Sequence, residues 1–204
     1  MKANKLEKKT NLDKLKKEIY NSNKLPLRKE RIKKEYIPVA GEGNVLAEVM
    51  FIGEAPGLQE AITGRPFLGR AGKILDSLFY ENSICRNDVY ITNLIKDRPP
   101  KNREPLSHEI KAYSQILDKE IKIIQPKLII TLGRHSMKYI MSRFGLNKNI
   151  SSIGKIHGQI FATSIFENRT LIIPFYHPAS VIYNKKLLKD LRDDFKLINI
   201  FKNG

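Results

Sequence analysis

Cysteine is almost absent from this 204-residue sequence, since Cys85 is its single example. A lone cysteine excludes an internal disulfide framework and any metal site built from cysteines alone. The sequence also lacks an apolar run near the ~20 residues that a membrane-spanning helix needs. Its lysine-rich start has no apolar segment of the kind found in signal peptides. We therefore expect a cytoplasmic protein with no targeting signal and no membrane partner.

Acidic residues are few beside basic ones. The chain has 21 acidic and 37 basic side chains, which gives a formal net charge of +16. Such an excess attracts a polyanion, most often a nucleic acid, through the release of condensed counterions. The alternative is a composition rich in lysine, isoleucine and asparagine throughout, with no particular partner. Nothing in the sequence requires an oligomer, so we expect a monomer.

The first 35 residues differ from the rest of the chain. They contain 13 basic and 5 acidic residues, or about half of the net charge. Leu12, Leu15 and Ile19 recur at helical spacing, which predicts a short amphipathic helix. We interpret residues 1–35 as a basic N-terminal arm with a helix, flexible in part, and residues 36–204 as a single domain.

Apolar segments alternate with amphipathic ones from Val45 onward. The segments "EVMFIGE", "DVYITNLI", "KLIITLG" and "TLIIPFY" are short, β-branched and apolar, as is typical of strands covered on both faces. Helical patterns lie between them, and "IHGQIFATSIFENRTLIIPFY" predicts a hairpin before the last strand. The sequence therefore predicts a three-layer α/β/α sandwich around a mainly parallel four-stranded sheet.

Each predicted strand ends in polar or glycine-rich residues. "GEAPG" follows the first strand, "TNLIKDRPPKN" the second, "GRHS" the third and "YHPAS" the fourth. The carboxyl ends of parallel strands share one edge of a sheet, where open α/β sheets bind their ligands. The four loops therefore predict one common ligand site.

Three side chains in these loops suit a planar base. Phe67 lies between arginines before a predicted helix and offers a stacking face, although a Phe that closes the core is the alternative. Asn93 ends an apolar strand, and its amide can both donate and accept, unless it only ties down a neighbouring loop. His177 precedes a proline, which favours extended geometry and lets the imidazole project, although a lone histidine is more often structural.

Basic and small residues around the same loops are candidates for contact with DNA. The basic side chains either contact phosphates or lie on a solvated surface. Val181 and Ile182 either wedge into a base stack or pack against the last helix. The candidates are Arg65, Arg70, Lys96, Arg98, Lys101, Ser180, Val181 and Ile182. The remaining histidines, His108, His135 and His157, lack metal-ligand spacing, so we predict no metal.

Together these motifs resemble family 4 of the uracil-DNA glycosylase superfamily. The resemblance runs from Leu25 to Phe195 and rests on "AGEGN", "GEAPGLQEAITGRPFLGRAGKIL", "VYITNLIKDRPPKNREP" and "YHPAS", in the family's order. It implies a monofunctional enzyme that flips uracil out of single- or double-stranded DNA and hydrolyses the N-glycosidic bond. The product is an abasic site, and the setting is the nucleoid of a prokaryotic-type cell.

The resemblance also assigns roles to residues. Phe67 stacks on the uracil, Asn93 binds its Watson–Crick edge, and His177 stabilises negative charge at O2. Glu54 positions the water or the sugar, and this role matters because Ala55 stands where another branch has an aspartate base. Gly53, Ala55 and Gly57 bound the base pocket. The catalytic set implied is therefore Glu54, Asn93 and His177.

The sequence departs from family 4 at the iron–sulfur cluster. The four cysteines of the family align with Ser22, Leu25, Asp97 and Tyr113, none of which is a thiolate. We predict that the cluster is absent. Our hypothesis is that packing by Leu25 and Tyr113, with an ion pair from Asp97 to a nearby Arg or Lys, holds the 97–113 loop instead. A smaller departure is Ala61 in "QEA", which affects one loop contact.

Two alternatives to a uracil-specific enzyme follow from the sequence. The first is a catalytically weak or inactive uracil- or DNA-binding module that kept the pocket, since the cluster loop helps hold DNA. Retention of Phe67, Asn93 and His177 favours the enzyme. The second is an enzyme with a wider range of deaminated bases, because Gly57 leaves space where a larger residue would exclude them.

Overall fold

A computed structural model of the chain describes residues 2–165 and 168–203. The elements run in the order α1 (Lys2–Asn21), α2 (Arg28–Lys33), β1 (Glu42–Gly43), β2 (Val49–Gly53), α3 (Leu58–Thr63), α4 (Arg70–Glu81), β3 (Tyr90–Asn93), α5 (Ser107–Ile124), β4 (Leu128–Leu132), α6 (Arg134–Arg143), α7 (Ile153–Ile156), β5 (Phe161–Ile165), β6 (Asn168–Phe175), α8 (Ser180–Tyr183) and α9 (Leu187–Asn203). No helix in the described ranges is both long and apolar enough to cross a membrane.

The strands form one sheet in the order β1-β3-β2-β4-β6-β5. The four central strands are parallel and correspond to the four predicted ones, which confirms the mainly parallel α/β interpretation. The sheet has six strands rather than four, because β1 and β5 add an antiparallel strand at each edge. β1 has only two residues, too few for any pattern to reveal it. β5 and β6 are the two strands of the predicted hairpin, and residues 166–167 between them lie outside the described residues.

Side chains alternate across the sheet and build a core on each face. Met50 and Ile52 of β2 pack with α1, α5 and α6 on one face. Val49 and Phe51 pack with α4 and α9 on the other, where Phe51 and Phe195 stack with ring centroids 6.0 Å apart. The central strands are covered on both faces, which explains their continuous apolar runs and completes the three layers.

The N-terminal segment, for which an arm flexible in part was predicted, packs against the domain through one face of α1. Leu12, Leu15 and Ile19 are buried in the same core as α5. The helix also extends to Lys2, well beyond the apolar stretch that predicted it. The seven-residue spacing of Leu12 and Ile19 gives α1 one buried face, and its lysines occupy the remaining surface.

We expect Leu15→Ala to lower the free energy of unfolding by about 2–4 kcal/mol, because it opens a cavity in a packed interface. Leu15 is only 4% exposed. Lys17→Ala, on the exposed side of the same helix, is the matched control and is expected to change it by less than about 0.5 kcal/mol. Urea unfolding measures both. Equal, small effects would mean that α1 is not docked in solution.

Candidate active site

The loops that follow β2, β3 and β6 meet around one cavity of about 350 Å³. The N-terminal end of α4 closes it on one side. Residues from all four segments line it: Ala55, Gly57, Leu58, Gln59, Glu60, Phe67, Gly69, Arg70, Ala71, Asn93, Asn102, His177 and Ala179. The structure therefore brings Phe67, Asn93 and His177 together, with Ala55 and Gly57 beside them.

Gly53 lets two of these side chains pack against the end of β2. A Cβ at this position would lie 2.3 Å from Asn93 Oδ1 and 2.5 Å from Phe67 Cζ, distances that no real side chain tolerates. Gly53 and Asn93 are register partners in the parallel pair β2–β3. The absent side chain of Gly53 thus makes room for the amide and the ring at the same edge of the sheet.

Phe67 adopts a backbone conformation that bulky residues avoid. Its φ is +53°, in the left-handed region, where a non-glycine residue carries a cost of about 1–3 kcal/mol. The Arg86 guanidinium donates to the carbonyl oxygens of Pro66 and Phe67. Gly72 allows the Phe67 carbonyl to approach α4, since a Cβ there would lie 2.0 Å from the Phe67 oxygen. These contacts hold the ring in place at the cavity.

Asn93 carries an unpaired polar atom at the cavity. The residue is only 2% exposed, and its Oδ1 has no hydrogen-bond partner among the described residues. Buried amide oxygens are almost always bonded, so an orphaned one at a cavity wall indicates a site for a donor from a ligand.

His177 presents one protonated nitrogen in its neutral form. Its Nδ1 accepts the backbone N–H of Ala179 at 3.0 Å, which leaves the proton of the neutral ring on Nε2. Burial lowers the pKa of His177 to about 4, against a smaller opposing effect from Glu60. The ring lies nearly parallel to Phe67, with centroids 5.8 Å apart and planes 26° apart. At neutral pH His177 is therefore a neutral donor.

Glu60 is a site residue that the sequence analysis missed. It is 7% exposed, and its Oε1 accepts the backbone N–H groups of Leu68 at 2.8 Å and Gly69 at 2.7 Å. Its Oε2 lies 2.7 Å from the position of a Cβ on Gly57, so the space expected at Gly57 is next to a carboxylate rather than open. In the sequence, Glu60 is only an acidic residue of a short helical segment, and its burial becomes visible in the structure.

Glu54 lies outside the lining of the base cavity. Its side chain is about one-quarter exposed, and its Oε2 lies 3.9 Å from His135 Nε2. Burial raises the pKa of Glu54, and Glu104 adds to the increase while His135 and Arg134 oppose it. The carboxylate thus lies between the loops that follow β2 and β4.

Lys96 requires a correction, because it cannot serve as a surface phosphate contact. The side chain is fully buried, and its Nζ donates to Glu120 Oε2 at 2.6 Å, Thr92 Oγ1 at 2.7 Å and the Asn93 carbonyl at 2.6 Å. Burial lowers the pKa of Lys96, and Glu120 partly offsets this. The sequence showed a basic residue in a basic loop, but not the carboxylate on α5 that draws it inside.

The other candidate DNA contacts lie in different places. Arg70 lines the base cavity, whereas Arg65 pairs with Glu42 at 2.9 Å and faces another cavity. Arg98 bonds to Tyr36 and Asn102, and Lys101 is exposed.

The segment after His177 divides between core and surface. Ser180 Oγ donates to the His177 carbonyl at 2.6 Å, and Val181 is buried in the core, so the wedge role is wrong for Val181. Ile182 is partly exposed, and Tyr183, which the sequence analysis passed over, is 90% exposed.

The positions aligned with the family's cluster cysteines form a buried cluster of their own. Arg31 Nη1 lies 3.0 Å from Asp97 Oδ1, and Tyr113 donates its hydroxyl to Asp97 Oδ2 at 2.5 Å. Arg31 also donates to the carbonyls of Ile19 and Tyr20 at the end of α1. Leu25 lies in the same apolar core as Tyr113.

This cluster does not fit an iron–sulfur group. It contains no thiolate, and its one carboxylate, that of Asp97, already accepts hydrogen bonds from Arg31 and Tyr113. Cys85, the single cysteine, is exposed elsewhere. Within residues 2–165 and 168–203, no three histidine, cysteine or acidic side chains are placed to hold a metal ion.

We expect the His177 imidazole to stay neutral as the pH falls to about 4. The folded state then binds the proton less readily than the unfolded chain, whose histidine has its ordinary pKa near 6.5. Stability from this group is complete above pH ~6.5 and is lost as the pH falls toward 4. An NMR titration, with the His177 signals assigned from a His177→Gln variant, measures this. Titration near 6.5 would contradict the desolvated site.

Comparisons with known proteins show the family to which the chain belongs. The family model for the uracil DNA glycosylase superfamily matches residues 40–199. The chain is 46% identical to a type-4 uracil-DNA glycosylase of Sulfurisphaera tokodaii over 92% of this chain and 83% of that protein. It is 46% identical to the type-4 enzyme of Saccharolobus solfataricus (92% and 85% covered) and 37% identical to that of Archaeoglobus fulgidus (92% and 91%).

The match of the family model begins at Ala40 and ends within α9, so it includes every strand and every residue of the cavity. The relatives extend the similarity over most of the chain. This protein belongs to the uracil-DNA glycosylase superfamily.

Proposed function

We propose that this protein removes uracil from DNA by hydrolysing the N-glycosidic bond, leaving an abasic site. The observation that carries the proposal is the unpaired Asn93 Oδ1 beside Phe67, at a cavity that His177 also lines. The cavity, of about 350 Å³, has the size of a small-molecule site. The names of the relatives support the same reaction.

The base is recognised by stacking and by its edge. A uracil flipped out of DNA rests on Phe67, and this stacking repays part of the few kcal/mol that extrusion costs. Asn93 Oδ1 accepts the N3–H of uracil, and the amide N–H group donates to O4. Cytosine has no proton at N3 and an amino group in place of O4, so the same amide orientation rejects it. The orphaned oxygen is thereby paired by uracil and not by cytosine.

Bond cleavage is assisted by a neutral donor. When the bond between C1′ and N1 breaks, its electron pair moves into the uracil ring and negative charge develops on O2. The Nε2–H of His177 donates to that oxygen, and the preorganised hydrogen bond stabilises the charge as it forms. A pKa of about 4 keeps this donor neutral, so no proton has to be transferred.

Water then adds to C1′ and releases a proton, which balances the negative charge of the departing uracil, so the products are the abasic sugar and neutral uracil. We assign Glu54 to orient this water or the positively charged sugar, because it lies in the chain between Gly53 and Ala55, a residue of the cavity lining. Its raised pKa makes the carboxylate a stronger base than an ordinary glutamate. The described cavity lining contains no lysine that could form a Schiff base, which supports a monofunctional enzyme.

The chain acts as a monomer on uracil in single- or double-stranded DNA, within the cytoplasm. Exposed basic residues beside the cavity, Arg70 and Lys101 among them, contact phosphates. The net charge of +16 supports a polyanionic substrate.

We expect Asn93→Ala and His177→Ala each to lower the rate of uracil excision by about 100-fold or more, the scale for removal of one preorganised group that stabilises developing charge. Oligonucleotides with a single uracil, cleaved by alkali after incubation, measure the rate. Asn147→Ala and His108→Ala are matched controls, because both side chains are exposed and lie outside the cavity.

The controls are expected to retain excision, and circular dichroism checks that all four variants fold. Tight binding of uracil-containing DNA without any scission by the unaltered protein would instead favour an inactive binding module. Full activity of both cavity variants would overturn the assignment of the site.

We propose in addition that no iron–sulfur cluster is bound and that Arg31, Asp97 and Tyr113 take its place structurally. The support is their geometry. Arg31 reaches the end of α1, Asp97 follows β3, and Tyr113 belongs to α5, so the three side chains join the elements that flank the 97–113 loop.

We expect protein purified from iron-supplemented cells to be colourless and free of iron. Asp97→Ala is expected to lower the free energy of unfolding by about 3–5 kcal/mol, because it leaves the Arg31 charge buried and unpaired. Asp193→Ala, which breaks an exposed pair with Lys196, is the matched control and should cost at most about 1 kcal/mol. Stoichiometric iron with broad visible absorbance would contradict the proposal.

A further inference from the structure

A second cavity, of about 560 Å³, is lined by Arg65, two residues before Phe67 in the loop between α3 and α4 (residues 64–69, the Phe67 loop). One wall is α1 and the other is the segment from Gly41 to Val45. Arg65, Arg86, Asn87 and Tyr90 complete the lining. No residue of the proposed base-binding set lies in it, so it is a separate feature of the molecule.

The charge of this cavity is positive and not fully compensated. Glu42 pairs with Arg65 and Arg86, and Asp76, outside the lining, also pairs with Arg86, so acidic side chains compensate the two arginines. Lys5, Lys9 and Lys16 come from one side of α1, and none has an ion-pair partner among the described residues. Asp13 is the only other acidic side chain in the lining. The lysines therefore favour an anionic ligand.

An unsatisfied hydroxyl lies at the same place. Tyr90 lines the cavity, is only 1% exposed, and its OH has no hydrogen-bond partner among the described residues. Gly41 allows the ring to sit there, since a Cβ on Gly41 would lie 2.4 Å from the hydroxyl. A buried hydroxyl without a partner is costly, which indicates that a ligand or water supplies one.

The cavity continues along α1 into a neighbouring one of about 280 Å³. The two share Lys16, Gly41, Glu42 and Arg65. At the far end Tyr20 is 62% exposed and Ile37 is 44% exposed. From Lys5 to Tyr20 the helix rises about 22 Å. We call the continuous depression the α1 groove.

We propose that the α1 groove binds single-stranded DNA, with its phosphates near Lys5, Lys9 and Lys16 and a base or sugar near Tyr20. A basic track with an exposed aromatic residue is the usual form of a single-strand site. A cavity of about 560 Å³ holds parts of one strand and excludes a duplex. Tyr90 and Asn93 are about 10 Å apart along β3, so a strand in the groove lies near the base cavity. The inference rests on the proposed action on DNA.

The test measures binding of a fluorescent oligothymidine without uracil to the full chain by polarisation, at several salt concentrations. Lys9→Ala combined with Lys16→Ala is expected to weaken binding about tenfold or more. The slope of log affinity against log salt should become less steep by about 1.4, since each phosphate contact of a single strand contributes ~0.7.

Two controls separate the groove from general charge. Lys14→Ala combined with Lys17→Ala removes the same charge from exposed positions of α1 outside the groove. A much smaller loss of affinity for oligothymidine is expected. Tyr90→Phe should weaken binding several-fold without lowering the unfolding midpoint, because it removes only a hydroxyl that has no partner in the free protein.

Equal losses of affinity in the two double variants would overturn the proposal that the α1 groove binds single-stranded DNA. Unchanged binding by Tyr90→Phe would do the same, as would equally tight, equally lysine-dependent binding of duplex DNA. Excision of uracil from saturating substrate is measured in parallel. Lack of excision by the unaltered protein contradicts the proposed function and leaves the oligothymidine result standing.

Discussion

The packing of Asn93 and Phe67 against Gly53 is the constraint on which the rest of the site depends. Neither side chain could occupy its position if residue 53 carried a Cβ. The parallel register of β2 and β3 sets Gly53 beside Asn93, and the left-handed backbone of Phe67 turns its ring to meet them. Strain of this kind persists only where surrounding contacts determine it. Here those contacts come from Arg86 and from Gly72.

Lys96 and Asn93 differ in how their buried polar side-chain atoms are satisfied. Lys96 is fully buried, yet its Nζ has three acceptors, one of them the carbonyl of Asn93. Glu120 also accepts the backbone N–H of Gly41, so one carboxylate fixes residues on both sides of β3. The backbone of Asn93 is thereby held while its side-chain oxygen is left unpaired. Rigid support beside an open acceptor is the arrangement that selective binding of a flipped base requires.

The sequence predicted the features that depend on local pattern. The four central strands, the terminal hairpin and the meeting of Phe67, Asn93 and His177 at one sheet edge follow from apolar runs and from the positions of the loops. The edge strand β1 was not visible, because two residues carry no periodicity.

The sequence did not predict the positions of side chains whose partners are distant in the chain. Lys96 was expected at the surface, but Glu120 lies 24 residues away on α5 and draws it inside. The buried role of Glu60 depends on backbone groups of a later loop, and the docking of α1 depends on α5. The Asp97 ion pair was anticipated only because the resemblance indicated which positions had lost their usual chemistry, and Arg31 was not identifiable as its partner.

The Phe67 loop is held from behind by a charged side chain that also faces the α1 groove. Arg86 donates to the carbonyls of Pro66 and Phe67 while it pairs with Glu42 and Asp76. Its position is therefore set by the balance of charge in the groove as well as by the loop. A phosphate bound there attracts the same guanidinium that fixes the strained Phe67 backbone. Through Arg86, the proposed phosphate site in the α1 groove and the loop that carries the stacking ring share one side chain.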